Sequence, residues 1–179
     1  MRRRDREIST REEIDAVIRE ATVCHLAFAV GDEPYLIPIS FGYDGEALYI
    51  HTAKTGMKID FIERNNRVCF ELEANVVLQA DQTDACKWTF SFESVIGWGT
   101  VTELTTPEAK AHGLNRIMEH YSGREWEMGD AALSTTRVWR IGIEEITGKR
   151  SAEKPANSSS ERATPTGSTQ STASRSQSA

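Results

Sequence analysis

The chain has 179 residues, a formal net charge of −6 and three widely spaced cysteines, Cys24, Cys69 and Cys86. An acidic balance disfavours nucleic-acid binding, and the absence of any apolar run of about 18 residues predicts no transmembrane helix. No apolar stretch follows the basic start at Arg2–Arg4, as a signal peptide would require. We therefore expect a cytoplasmic protein with reduced thiols and without nucleic-acid or membrane partners.

A helix and a strand are predicted at the start of the chain. Ser9 and Glu12 form a capping-box pattern, and apolar residues then recur at helical spacing as far as Ala21. Alternation over residues 23–30 predicts a strand whose larger apolar residues share one face, with His25 on the other.

Two more strands and a helix follow, joined by tight turns. Residues 35–41 alternate as a strand, and Pro38 within them indicates that no ladder partner faces its missing N–H. Asp44–Gly45 is a hairpin-turn signal that leads into a strand over 47–52. A helix is predicted over 56–65, and its expected inward-facing residues are Met57, Ile59, Phe61 and Ile62.

The middle of the chain is typical of two strands separated by a polar loop. Residues 67–73 alternate as a strand, residues 75–86 are predicted as the loop, and a long strand is predicted over 87–103. Gly97 and Gly99 within the long strand indicate a sharp bend or bulge, where the backbone closely approaches a neighbour.

The last elements are a helix, a loop, a strand and a tail. Thr106–Glu108 combines a hydroxyl cap, a first-turn proline and an acid, and therefore begins a helix. A loop over 123–136 and a strand over 137–146 follow. Residues 151–179 are rich in serine and threonine and lack the residues of a core. We expect a disordered tail there, after one domain over residues 1–150.

Six strands and three helices in this order predict a mainly β protein. The strands are joined by hairpins more often than by helices, so the sheet should be mostly antiparallel. Short strands with bends at glycine favour a small closed barrel, and the helices are too few for a doubly wound sheet.

The junction between the strand over 47–52 and the helix over 56–65 favours anion binding. A helix start exposes free amides and the positive end of the dipole, and a glycine lets the backbone approach a ligand closely. The order of residues matches neither GxxxxGKS/T nor GxGxxG, which disfavours a nucleoside triphosphate or a dinucleotide. We predict a cofactor phosphate here; the alternative is an ordinary helix start with solvated lysines. The residues concerned are His51, Thr52, Lys54, Thr55, Gly56 and Lys58, with both threonines as hydroxyl donors.

Other groups of residues give weaker functional signals. His112 and His120 are eight residues apart on one predicted helix, too far for one metal ion, so no metal site is expected. Cys24 and His25 point to opposite strand faces and should not form a thiolate dyad. Trp98, between two glycines, could stack on a planar ligand, although a tryptophan more often serves as a core or dimer contact. The chain has four tryptophans, Trp88, Trp98, Trp126 and Trp139.

Four blocks of sequence, in this order, resemble the flavin-binding split-barrel proteins. They are the Asp5–Glu7 start, residues 35–72 with their Tyr-Ile-His…Gly-x-Lys segment, SVIGWGTV over 94–101, and VWRIGIEEITGKR over 138–150. The similarity covers roughly residues 1–150 and is to the nitroimidazole-resistance (Nim) type within the pyridoxamine 5′-phosphate oxidase superfamily.

The resemblance implies a six-stranded antiparallel split barrel that forms a homodimer, with FMN in the groove between subunits. It implies that Pro38, Ile39 and Ser40 line the flavin with backbone, and that His51, Thr52 and Ala53 lie beside the ring and ribityl chain. Lys54 and Lys58, with the Gly56 turn, would hold the phosphate. Trp98 would approach from the partner chain, and His51 would be the residue linked to activity.

By this resemblance we expect an FMN-dependent oxidoreductase that transfers hydride from flavin N5 to a small electron-poor acceptor such as a nitroimidazole or another nitroaromatic. Met57 stands where pyridoxamine oxidases often have arginine, and their C-terminal Arg/His segment is not evident, so oxidation of pyridoxamine phosphate is not expected. Two alternatives stay open. One is a non-catalytic flavin-binding or sensing protein; the other is a split-barrel binder of haem or deazaflavin, in which His51 would be the axial ligand of haem.

Overall fold

A computed structural model of the protein describes residues 4–151, and residues 152–179, with most of the predicted tail, lie outside it. The described residues form eight strands and four α-helices. In chain order these are β1 (Glu7–Ile8), α1 (Arg11–Glu20), β2 (Cys24–Val30), β3 (Glu33–Ile39), β4 (Gly42–Tyr43), β5 (Ala47–Thr52), α2 (Met57–Arg64), β6 (Arg67–Gln79), β7 (Thr89–Leu104), α3 (Pro107–Ser122), α4 (Asp130–Thr135) and β8 (Arg137–Arg150).

The predicted class, a mainly β protein with an antiparallel sheet, is confirmed. The six predicted strands are all present, and the short strands β1 and β4 are additional. The predicted loop over 123–136 contains the short helix α4, which was not expected. Its C-terminal carbonyls are held from another element, because Lys110 Nζ donates to the carbonyl oxygens of Leu133 and Thr136 at 2.9 and 3.0 Å.

The sheet curls into a barrel because its two end strands are neighbours in sequence. Strand order is β3-β2-β6-β7-β8-β5-β4, with β1 beside β8. Strands β3 and β4 therefore lie at opposite ends of the sheet, yet only Ser40 and Phe41 separate them. The three steps from Ile39 to Gly42 span at most about 11 Å, so the two ends of the sheet must approach each other. Within residues 4–151 they do not pair, and the barrel stays open along this seam.

The position of Pro38 follows from this topology. Pro38 is opposite His25 of β2, and the other side of β3 has no neighbouring strand. The prediction that no ladder partner faces its missing N–H is confirmed, since proline is tolerated on an edge strand.

One apolar core fills the barrel and takes in the faces of α1 and α2. Ile59, Phe61 and Ile62 of α2 are buried as predicted, whereas the inward position predicted for Met57 is wrong, because its side chain is 59% exposed at the first turn of the helix. The cap of α1 is also one residue later than predicted. Thr10, not Ser9, accepts from the Glu13 amide, and residues 10–13 satisfy the same capping pattern.

Strand β6 is longer than predicted, and the pairing of β7 with β8 is irregular. The predicted loop over 75–86 begins as strand, because residues 77–79 pair with 89–91 beyond an irregularity at Asn75, whose φ is 56°. The bend predicted at Gly97 and Gly99 is confirmed as a bulge between β7 and β8. Trp98 is opposite Glu145 and Gly99 opposite Ile143, so Glu144 is the extra residue.

The last strand carries the fold slightly past the predicted domain end. Strand β8 continues to Arg150 instead of ending at residue 146. Ser151 is buried; its amide donates to the Phe92 carbonyl and its Oγ accepts from the Phe92 amide, each over 2.9 Å. The first residue of the predicted tail therefore belongs to the sheet.

Gly42 should be sensitive to substitution, because α3 packs directly on β4. A Cβ at Gly42 would lie 2.3 Å from the backbone carbonyl carbon of Arg116. We expect Gly42→Ala to lower the free energy of unfolding by about 3 kcal/mol, the upper end of the usual cost of overpacking. Urea denaturation measures this. Gly129→Ala is the matched control, since a Cβ there meets nothing within 4 Å; equal stability of the two variants would contradict the prediction.

Candidate functional site

The turn between β5 and α2, residues 53–56, leaves the helix start open to a ligand. The cap of α2 is Gly56, and no side chain of residues 4–151 caps the helix. The first amides of α2 therefore lack a capping partner, and the positive end of the helix dipole faces the same place. This is the arrangement that binds phosphate oxygens.

Gly56 is required by its backbone, not by crowding. Its φ of +134° is rarely adopted by residues with a side chain. A Cβ placed there would meet nothing within 4 Å, so the space beside the backbone is open. An open, strained glycine at an uncapped helix start fits a turn that a ligand approaches closely.

Cationic side chains surround this turn. Lys54 is exposed in the turn, Lys58 is half-buried in the first turn of α2, and His51 is exposed near the end of β5. The pKa of His51 lies below its ordinary value, first because neighbouring protein atoms displace water from the ring and second because Lys58 is positively charged. The charge of Lys58 therefore acts on the His51 ring, and the lowered pKa favours a neutral imidazole near pH 7.

Thr52 has a different role from the one predicted. Its side chain is 3% exposed, accepts from Trp139 Nε1 over 3.0 Å and donates to the Ala53 carbonyl oxygen over 2.8 Å. The hydroxyl is therefore unavailable to an anion, because the alternation of β5 turns Thr52 inward and His51 outward. Thr55 and Ala53 are exposed, as the predicted site requires.

Of the remaining predicted residues, Pro38 and Trp98 lie on the outer face of the sheet, opposite the core. Pro38 is exposed and lines a cavity of about 500 Å³ that His25 and Glu73 also line. Ile39, at the end of β3, is half-buried and packs against the core, and Ser40 is exposed after it. His51 and Lys58 do not line this cavity. The predicted set therefore falls into two groups: the turn over 51–58, and the end of β3 together with the outer face.

Trp98 belongs to the second group. It is opposite Cys69 on one side and Glu145 on the other, and it lines a cavity of about 260 Å³ with Phe28 and Cys69. Its ring is half-buried and free on the outer face, so it is not a core residue.

Two polar contacts near these groups were not predicted from the sequence. On the outer face, His25 Nδ1 and Glu71 Oε2 are 3.1 Å apart, and burial raises the pKa of Glu71. Alternation points each side chain outward, but only the register of β2 against β6 brings them together.

The second contact ties α2 to the sheet. Arg137 donates to both carboxylate oxygens of Glu103, at 2.8 and 2.6 Å, and to Glu63 of α2 at 2.8 Å. Its guanidinium carbon also lies 4.4 Å from the centroid of the Trp139 ring. No spacing in the sequence signals this contact, since its partners come from three separate elements.

The curled antiparallel sheet, open along one seam, and the uncapped turn together define a split barrel with a candidate cofactor-phosphate site. A family model described as pyridoxamine 5′-phosphate oxidase matches residues 10–150. The chain therefore belongs to the pyridoxamine 5′-phosphate oxidase family, and this membership supports the binding of a flavin.

The chain is also similar to solved structures and to part of one curated protein. A Bacteroides thetaiotaomicron protein provisionally assigned to 5-nitroimidazole antibiotic resistance is 30% identical, with a TM-score of 0.71, over 80% of this chain and 86% of that chain. The FAD- and heme-binding protein of Mycobacterium smegmatis, 17% identical with a TM-score of 0.73 over 86% of this chain and 77% of that one, shows the same fold. An uncharacterized Rhizobium meliloti (strain 1021) protein is 31% identical over 65 residues, 36% of this chain and 42% of its own length.

Across residues 4–151, none of the helices has both the length and the apolar character needed to span a bilayer.

We expect the pKa of His51 to respond to the charge of Lys58. In NMR titrations of the imidazole resonances, His51 should titrate below the ordinary histidine value, and Lys58→Gln should raise its pKa because a like charge is removed. Lys87→Gln, which changes a lysine of the distant segment between β6 and β7, should leave the titration unchanged. An unaltered His51 pKa in Lys58→Gln would show that the two groups are not close.

Proposed function

We propose that the protein is an FMN-dependent oxidoreductase that reduces a small electron-poor acceptor. The observation that carries the proposal is the uncapped turn with Lys54, Gly56 and Lys58 on a chain of the pyridoxamine 5′-phosphate oxidase family. The donor set fits the group: free helix amides and two ammonium groups match a single phosphate. FMN ends in one phosphate, which this turn would hold.

The chain's residues would bind and orient the cofactor. Lys54, Lys58 and the α2 amides would hold its phosphate, the backbone of Pro38, Ile39 and Ser40 would line it, and Trp98 of a second copy would cover it. When bound, FMN supplies hydride from N5 to an electron-poor acceptor. Similarity to the Bacteroides protein supports a nitroimidazole or other nitroaromatic acceptor.

His51 would act at the acceptor. Its lowered pKa keeps the ring neutral near pH 7, so one ring nitrogen carries a proton and can donate a hydrogen bond to negative charge that develops on the acceptor. Its exposed position near the end of β5, close to the phosphate turn, is compatible with contact to a bound molecule.

A second copy of the chain would complete the site. The outer face carries an apolar row in which Leu36, 63% exposed, faces Ala27, followed by Cys69 and Trp98. Ile96, on the neighbouring row, is 40% exposed. Such a surface costs free energy in water and suits a homodimer contact.

Cys24, Cys69 and Cys86 are free thiols, which supports a cytoplasmic location.

A non-catalytic binder is the second candidate. No side chain of residues 4–151 hydrogen-bonds the His51 ring, and a neutral imidazole can ligate haem iron. The absorbance spectrum of the purified protein separates the cases: flavin bands support the proposal, a Soret band supports haem binding, and flavin bands without turnover support a flavin-binding, deazaflavin-binding or sensing protein.

Lys58→Gln should weaken FMN binding, because it removes a charge from the phosphate turn. Charged hydrogen bonds contribute about 1.5–3 kcal/mol, so we expect the FMN dissociation constant to rise about 10- to 100-fold. Quenching of flavin fluorescence on titration with apoprotein measures it. Lys87→Gln is the matched control and should bind like the wild type. Wild-type affinity in Lys58→Gln would remove the phosphate-binding role of the turn.

His51→Ala should reduce turnover while keeping flavin bound. In an anaerobic stopped-flow experiment, FMN on the protein is reduced stoichiometrically with dithionite and mixed with a nitroimidazole. Reoxidation should be about 100-fold slower than in the wild type, the lower end of the effect of removing one hydrogen-bond donor to developing negative charge. His112→Ala, which changes an exposed histidine packed on Tyr49, is the control. Wild-type rates in His51→Ala would exclude a catalytic role for this residue.

A further inference from the structure

The turn over 53–56 has a buried anchor immediately before it. Trp139 Nε1 donates to Thr52 Oγ1 over 3.0 Å, and the Thr52 hydroxyl donates to the Ala53 carbonyl oxygen over 2.8 Å. Both side chains are 3% exposed. The indole can only donate, so it occupies an acceptor site on the hydroxyl, and the single hydroxyl proton goes to Ala53. The Ala53 carbonyl is thereby held against the buried Thr52.

Because the Ala53–Lys54 peptide is planar, this anchor also fixes the direction of the Lys54 amide. In a trans peptide the C=O of Ala53 and the N–H of Lys54 point in opposite directions. Because the Ala53 oxygen is held toward Thr52, the Lys54 N–H points away from Thr52. This amide has no backbone acceptor within residues 4–151, so it is free for an external one.

Helix α2 is linked to the same side chains through its last turn. Trp139 packs under the Arg137 guanidinium, and Arg137 in turn binds Glu63 of α2. Glu103 fixes Arg137 through two hydrogen bonds. One connected set of contacts therefore links the start of the turn to helix α2, whose first amides follow the turn.

We propose that Thr52 and Trp139 are positioning residues for the phosphate of the cofactor. They touch no ligand themselves; they set the direction of the Lys54 amide that binds the phosphate. The inference rests on the proposed flavin-binding function but concerns binding affinity, so it is tested without turnover.

Isosteric and conservative variants test this role. Thr52→Val keeps the shape but removes the hydroxyl, and Trp139→Phe removes the indole donor. FMN dissociation constants are measured by fluorescence titration, at a temperature well below the melting temperature of each apoprotein. We expect each variant to raise the dissociation constant about 10-fold, as for the loss of about 1.4 kcal/mol of oriented binding.

Two further variants separate positioning from simple structural support. Thr52→Ser keeps the hydroxyl and should bind FMN like the wild type. Trp88→Phe is the matched control for the indole, because Trp88 Nε1 donates to the Asp81 carbonyl over 2.6 Å in a different part of the chain; its FMN affinity should be unchanged. The double variant Thr52→Val/Trp139→Phe should bind about as weakly as either single variant, since both act through one chain of hydrogen bonds.

The outcomes are distinguishable. If the wild type does not bind FMN, the proposed function itself fails. If the wild type binds FMN, and Thr52→Val and Trp139→Phe bind it equally well while their apoproteins melt at lower temperature, the two residues are only structural and the inference is overturned. If Thr52→Val does not fold, Trp139→Phe against Trp88→Phe decides, and equal dissociation constants in that pair overturn it.

Discussion

The connection of Ser40 and Phe41 between the two ends of the sheet is the constraint on which the rest of the structure depends. A link this short forces the sheet to close on itself, and the curled sheet then encloses one apolar core. The link is itself fixed: Phe41 is fully buried, its ring centroid lies 4.3 Å from that of His120, and its amide donates to Tyr121 Oη over 3.2 Å. Helix α3 thus holds the chain where the barrel closes.

Closure also explains why the candidate site has two separate parts. The turn after β5 and the end of β3 lie on strands near opposite ends of the sheet order, and the short link through Ser40 and Phe41 draws those two ends of the sheet toward each other. The sheet carries both parts, while the proposed binding atoms are backbone amides and lysine ammonium groups at its edge. In many proteins the binding groups lie on loops at the edge of a rigid scaffold, which positions them.

Much of this arrangement could be predicted from the sequence, because local signals are strong at the junction. Asp44–Gly45 and Gly56 punctuate the chain, so β5 was predicted with its observed bounds and α2 within one residue. The rest depends on tertiary contacts. The role of the inward-facing Thr52 depends on its hydrogen bond with Trp139, which is distant in sequence. The C-terminal carbonyls of α4 accept hydrogen bonds from Lys110, which belongs to another helix. The pairing of His25 with Glu71 likewise requires a strand register that no local pattern specifies.

The extra residue at Glu144 has a consequence for the whole length of β8. Before it, Trp139, Ile141 and Ile143 alternate toward the core; after it, the inward positions are those of Ile146 and Gly148. A single inserted residue therefore exchanges odd for even positions, and both halves of a fourteen-residue strand can line the same interior. If the same residues formed a regular strand without the bulge, Ile146 would turn to water and the charged side chain of Glu145 to the barrel.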